Sequence, residues 1–224
     1  MRVSSLSLAT LFLLIGASTG LAQQLREDSY RWYFGANAGV TLFESQTQTR
    51  SAVPFGGAHA LIMAKRAALM IGVEEAFGSD EESAYGDPDA PNGTRFVRFD
   101  RLRKYSATLL AFPLRGTQVD PYLGLGFGIL HTVGTHLPDS EIFTSPTDAA
   151  IAQSVARDLG SSGFMSLVGG IQGRLSPGTV LFGQIQVTTS PSSGSLLVGP
   201  SHTFSAGVRF SLGGAKEGIR GGGY

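Results

Sequence analysis

The chain has 224 residues, with 17 Lys plus Arg balanced by 17 Asp plus Glu, 31 Gly, 10 Pro and no Cys. The missing cysteines exclude disulfides, thiolate metal sites, Cys nucleophiles and a lipidated-Cys anchor, and the charge balance leaves no basic face for nucleic acid. Charged residues make up 15% of the chain while mean hydropathy is only +0.10, which excludes a bundle of transmembrane helices and suits a membrane β-barrel whose two faces average out.

Arg2 precedes an apolar run over 6–15, and small residues follow up to Gly20-Leu21-Ala22. A charged start, a short hydrophobic stretch and a small-x-Ala site make a secretory signal peptide. The run is too short for a bilayer-spanning helix, which needs about 20 residues. Cleavage is expected after Ala22, leaving 23–29 as an N-terminal lead before the first strand. The protein is therefore expected to be exported.

The first strand is predicted over 32–42, where Trp32, Phe34, Ala36, Ala38, Val40 and Leu42 alternate with Tyr33, Gly35, Asn37, Gly39 and Thr41. Alternation with period 2 places these two sets on opposite faces. A second strand over 54–64 is disturbed by Pro54 and His59. A third covers 67–77, and an acidic connection, 78–94, follows it. There Asp87-x-Asp89-x-x-Asn92-Gly93 departs from the every-second-residue ligand spacing of a calcium loop. This segment reads as a solvated loop.

The fourth strand is predicted over 95–113, with Lys104, Ser106 and Thr108 on one face. Arg98, Arg101, Arg103 and Lys104 make a basic stretch at its outer end, suited either to lipopolysaccharide phosphates or to plain solvation. The fifth strand, 119–131, is the clearest. Leu123, Leu125, Phe127 and Ile129 oppose the bare face of Gly124, Gly126 and Gly128. In the connection 132–162, Ser145-Pro146-Thr147-Asp148 begins a helix that Gly160 stops. Ile151, Val155 and Leu159 recur every four residues, and the helix is read as a packing plug over the barrel mouth, with a ligand- or partner-binding lid as the alternative. Strands over 163–174, 180–187 and 203–212 complete an even set of eight. In the last, Phe204, Ala206, Val208, Phe210 and Leu212 oppose Thr203, Ser205, Gly207, Arg209 and Ser211. The Gly-rich tail, 213–224, is taken to lie beyond the barrel.

The connections run 44–53, 65–66, 78–94, 114–118, 132–162, 175–179 and 188–202, long and short in alternation. Outer-membrane barrels join their strands by short periplasmic turns and longer outer loops. Aromatics near the strand ends are assigned to two interfacial girdles: Trp32, Phe112, Tyr122, Phe182 and Phe210 on the short-turn side, and Phe43, Phe55, Phe77, Phe164 and Phe204 on the loop side. Eight strands enclose only enough room for side chains. The charges on the inner face should therefore pair, Glu74 with Lys104 in the upper lumen and Asp120 with Arg174 at the periplasmic mouth.

Two segments carry a family resemblance. Pro121-Tyr122-Leu123-Gly124-Leu125-Gly126-Phe127-Gly128 resembles a Pro-Tyr-x-Gly-x-Gly-x-Gly strand, and Thr203-Phe204-Ser205-Ala206-Gly207-Val208-Arg209-Phe210 a closing strand, of the OmpA/OmpX-like eight-stranded outer-membrane β-barrel family. The likeness covers most of 30–212. It implies an all-β, up-and-down transmembrane barrel in the cell outer membrane, handled by the barrel-assembly machinery and set among outer-membrane lipid and lipopolysaccharide. The assembly signal falls to Phe210, on the strand, or to Tyr224 at the end.

His59, His131, His136 and His202 are scattered, and none has Ser two positions later, the spacing a His–Ser hydrolase on one strand face requires. No catalytic residue, cofactor or metal ligand is expected. The functional expectation is a non-enzymatic structural or surface-binding barrel acting through its long loops. The alternatives are an outer-membrane lipid-modifying enzyme and, further off, a soluble lipocalin-like carrier. The carrier would need an apolar interior and a polar outside.

Overall fold

A computed structural model describes residues 30–77, 80–114, 119–191 and 194–215. The expected signal peptide, the 23–29 lead, most of the turn 114–118 and the tail from 216 to Tyr224 lie outside these residues. Eight antiparallel strands close into one barrel: β1 (Tyr30–Ser45), β2 (Ser51–Met63), β3 (Ala67–Ala76), β6 (Arg101–Ala111), β7 (Val119–Val133), β8 (Ser161–Ser176), β9 (Thr179–Thr188) and β10 (Leu197–Ala215). Sequential strands pair, and β1 closes the circle against β10. Above the barrel stand a hairpin, β4 (Glu81–Gly86) with β5 (Thr94–Phe99), and one helix, α1 (Pro146–Leu159).

Several boundaries differ from expectation. The predicted strand 95–113 is two strands, because the chain turns at Asp100 and β5 runs back along β4. Buried positions are odd in β5 (95, 97, 99) and even in β6 (102, 104), so the alternation slips by one residue at Asp100, a break that the single predicted strand passes over. The connections 46–50 and 189–196 are shorter than predicted, since β2 and β10 start earlier. The last strand also continues to Ala215, whose partner is Tyr30. Each connection at the cap end still exceeds the turns that flank it in sequence.

The facing follows the pleat. Leu109, Leu123, Leu125, Phe127, Ile129, Met165 and Leu167 are exposed on the outer wall, with Leu125 at 68%. Thr108, Ser166, Gln172, Gln184, Gln186, Thr203 and Arg209 are buried inside. This apolar outer wall is the reverse of a soluble carrier's polar exterior.

The lumen is filled in layers. Tyr33, Leu61, Met70, Leu110, Phe112, Tyr122 and Val180 pack together towards the short-turn end. Phe43, Val53, Phe55, Phe99, Leu102, Leu130, Phe164 and Leu197 pack at the cap end. A polar belt separates the two.

This filling corrects the girdle assignment. Trp32, Phe77, Phe204 and Phe210 are exposed on the outer surface, but Phe112, Tyr122, Phe182, Phe43, Phe55 and Phe164 are buried. Their sequence parity puts these six on the inner face, whatever their height along the strand. The lumen glycines make room for several of them. A Cβ at Gly128 would meet Phe164 Cζ at 2.6 Å, one at Gly170 would meet Tyr122 Cζ at 2.5 Å, and one at Gly207 would meet Phe182 Cζ at 2.8 Å. Gly128 on β7, Gly170 on β8 and Gly207 on β10 are therefore sockets for rings supplied by neighbouring strands, and packing at this density leaves no space for both a Cβ and a ring.

Candidate functional site

Three regions of the barrel hold the residues singled out from the sequence. The first is the polar belt of the lumen. Glu74 on β3 lies directly across the ladder from Lys104 on β6, and the two form an ion pair. Asn37 donates to the second carboxylate oxygen of Glu74 at 2.7 Å, and Lys104 donates to Gln186 at 2.7 Å. A cavity of about 20 Å³ beside them, lined by Thr41, Phe55, Glu74 and Lys104 among others, has room for a single water. Arg174 lies 4.0 Å from Asp120 at the opposite mouth, where Arg174 is 56% exposed.

Sequence reasoning placed Arg209 in the lumen but gave it no partner. Its guanidinium is only 1% exposed and forms no ion pair with any carboxylate of the described residues. It donates from Nε to His59 Nε2 at 3.0 Å and from Nη1 to Gln172 at 2.9 Å. Its plane also lies 3.9 Å from the Phe182 ring centroid. Acceptors and a π face thus replace a counter-ion. Since His59 Nε2 accepts, the ring is neutral in this arrangement. The sequence signal was present, in an Arg on the inner face of a closing strand and a His that interrupted an otherwise apolar one.

The second region is the outer rim of the wall. Arg101 and Arg103 point outward and clamp Glu75, each at 2.8 Å. Arg98 belongs to the hairpin, where it meets Asp80 and Glu82. The predicted basic stretch is therefore divided among hairpin, rim and lumen. Beside Arg103 across the ladder is His131, whose Nδ1 lies 2.6 Å from Ser161 Oγ on the next strand. Spacing along a single strand could not reveal this pair, because register between strands creates it.

The third region is the cap, which has its own small core. Tyr85 and Val97 from the hairpin, Ala156 from α1 and Leu196 from the last outer connection are buried together, with Leu137 and Leu159 against them. Polar contacts tie the same segments. Tyr85 Oη donates to the Ala152 carbonyl at 3.1 Å, Ser83 Oγ to the Leu196 carbonyl at 2.5 Å, and Arg98 and His136 exchange backbone hydrogen bonds at 2.9 Å. Arg95 is held by Asp87 at 2.6 Å and Glu141 at 3.3 Å, over the Phe143 ring. The Arg95 hydrogen bond holds the Asp87 carboxyl below the usual carboxylate range. The acidic connection is thus a folded hairpin, and Asp87 is engaged by an arginine.

The helix starts as its caps predict, with Ser145 Oγ accepting from Asp148 N at 3.2 Å and Gly160 at the C-cap. Its packing face differs from the prediction. Ala152 and Ala156 are buried, whereas Ile151 is 59% and Val155 38% exposed. Small residues allow close approach to the hairpin, and the larger apolar side chains are left facing outward. Ile142, just before the helix, is 72% exposed. Apolar side chains exposed on aqueous loops mark an interaction surface more than scattered single ones do.

Comparison with solved structures finds the same architecture. Neisserial surface protein A, NspA, aligns at 15% identity and a TM-score of 0.54 over 80% of this chain and 96% of that one. Ail, the attachment invasion locus protein of Yersinia pestis, aligns at 10% identity and 0.41, covering 83% and 100% of the two chains. OprG from Pseudomonas aeruginosa aligns at 12% and 0.39, covering 84% and 97%. No protein-family model and no curated protein matches the chain. The likeness to NspA shows the fold, an eight-stranded barrel of the outer-membrane kind.

Proposed function

We propose that this chain is a non-enzymatic outer-membrane protein, exported through a cleaved signal peptide, whose closed barrel carries a rigid cap as a surface for binding other molecules. One observation carries the reading: the cap has a hydrophobic core of its own, yet leaves Ile142, Ile151 and Val155 exposed above a filled lumen. A loop that served only to join strands would need neither. A pre-ordered surface binds without the entropy cost of ordering loops. The OmpA/OmpX-like grouping belongs to this proposal. So does assembly by the barrel-assembly machinery, with Phe210 as its strand signal. Arg101 and Arg103 at the rim suit lipopolysaccharide phosphates, although Glu75 neutralises part of their charge.

The test compares cells displaying the intact barrel with cells in which short Gly-Ser linkers replace 81–99 and 139–158. Adhesion to immobilised host-surface proteins should require the cap. Equal adhesion by both, at equal surface levels, would overturn the reading.

The His131–Ser161 pair favours a second reading, a lipid ester hydrolase at the rim. Its weakness is chemical. Among the described residues no carboxylate is hydrogen-bonded to His131 to orient it, and the Gly160 amide beside the serine is spent on the Arg157 carbonyl. Fluorophosphonate labelling of Ser161, lost in His131→Gln, would favour the enzyme; an unlabelled Ser161 favours the binding role.

A further inference from the structure

Two adjoining cavities, of about 580 and 250 Å³, share Tyr85, Gly86 and Val155 in their linings and together form one groove between α1 and the hairpin. One end is uncharged, lined by Gln46, Ala84, Leu159 and Gly194. The other is lined by Asp87, Asp89 and Asp148, with Arg95 as its cation. Three carboxylates less one arginine give this end a formal charge of −2. The Arg95 side chain is also 3% exposed and already held by Asp87 and Glu141, so it offers an incoming group little.

The strand that borders the groove has a free edge. In an antiparallel pair, alternate residues direct both backbone groups to the partner strand and the others direct theirs away. Asp87 N donates to Gly93 O on the β5 side, while the Glu82 carbonyl is taken from the other side by Ser45 and Thr47. The alternation therefore turns the backbone groups of Ala84 and Gly86 away from β5. No hydrogen bond among the described residues uses them, and both residues line the groove. An unpaired edge is a template for another extended chain.

Resting on the proposed surface-binding role, we infer that this groove takes an extended polypeptide segment by strand addition to the outer edge of β4, with apolar side chains beside Val155 and Leu159 and a Lys or Arg at the acidic end. The backbone edge selects an extended chain, and the charge selects its sign. The surroundings reinforce the sign. The connections 46–50, 77–100, 134–160 and 189–196 hold ten Asp or Glu and four Arg, a net of −6. An acidic partner meets repulsion before it reaches the groove.

The experiment uses the full mature chain refolded in detergent micelles and three fluorescein-labelled heptapeptides. The first is Leu-Thr-Val-Thr-Lys-Gly-Lys, the second has Glu in place of both Lys, and the third has Pro in place of Val. Fluorescence anisotropy should show saturable binding of the Lys peptide, weakened about tenfold or more for the Glu and Pro peptides. Asp89→Lys and Val155→Asp, both at solvent-accessible positions, should each weaken the Lys peptide by about tenfold. Unchanged heat-modifiable gel mobility would show that the variants remain folded. Equal binding of the Lys and Glu peptides, no saturable binding, or a chain dimer that excludes the peptide would overturn the inference. Cap-dependent adhesion without peptide binding would overturn this inference and leave the surface role standing. Cap-independent adhesion would overturn the surface role itself.

Discussion

Replacing Lys104 by Met removes a cation that sits in contact with Glu74 and 2.7 Å from Gln186 inside the barrel. The carboxylate left behind keeps only the Asn37 amide, at 2.7 Å, with little access to water. Breaking a buried pair in this way costs about 3–5 kcal/mol, most of it the uncompensated charge. Glu74→Gln should cost a similar amount by stranding Lys104. Combining Glu74→Gln with Lys104→Met removes both charges, so the double variant should be more stable than the two single losses predict. A coupling energy of about 2 kcal/mol, near the upper part of the range for contacting residues, is expected. Urea unfolding in phospholipid vesicles reads this directly, because Trp32 is the sole tryptophan and lies on the outer wall. Asp120 and Arg174 supply the internal comparison: at 4.0 Å with a half-exposed Arg, their coupling should be under about 1 kcal/mol. Additive losses at Glu74 and Lys104, or equal coupling in the two pairs, would refute the view that the pair's burial sets its strength.

Four further outcomes are expected. Leu125→Arg places a charge on the outer wall at a cost of about 2–4 kcal/mol and should block insertion into vesicles, whereas Leu125→Ala should still insert. Arg209→Lys keeps the charge but loses the planar fork across His59 and Gln172, so its unfolding midpoint in urea should fall, by roughly 2 kcal/mol of stability. Reconstituted protein should show no steady ion conductance in a planar bilayer, because both ends of the lumen are packed with apolar side chains. The Arg95–Asp87 contact lowers the folded-state pKa of Asp87, so its stabilisation is present above the unfolded value of about 4 and is lost as pH falls below it. Protection factors of the hairpin amides, corrected for intrinsic exchange at each pH, should accordingly hold constant from pH 7 to about pH 5 and fall only in stronger acid.

Local pattern alone determined the barrel's wall. Period-2 alternation along 32–42, 119–131 and 203–212 assigns every residue to one face without knowledge of any partner strand, and the lengths of the connections set which end carries the loops. Inner-face parity also put Glu74 and Lys104 on adjacent strands, and the hairpin register then made them direct neighbours. The same parity already contained the answer for Phe112, Tyr122 and Phe164, whose outward assignment followed their height along the strand. Tertiary structure decided what the pattern leaves open. The bend at Asp100 shifts the buried positions from odd to even, but a one-residue slip also fits a bulge in one long strand, and only the pairing of β5 with β4 makes it a hairpin. The face that α1 buries depends on what stands against it, and close approach to the hairpin selected Ala152 and Ala156 over Ile151 and Val155. The cluster around Arg209 and the His131–Ser161 contact join residues far apart in the chain. Facing is a property of one strand, whereas contact depends on register and closure, which arise only when all eight strands are in place.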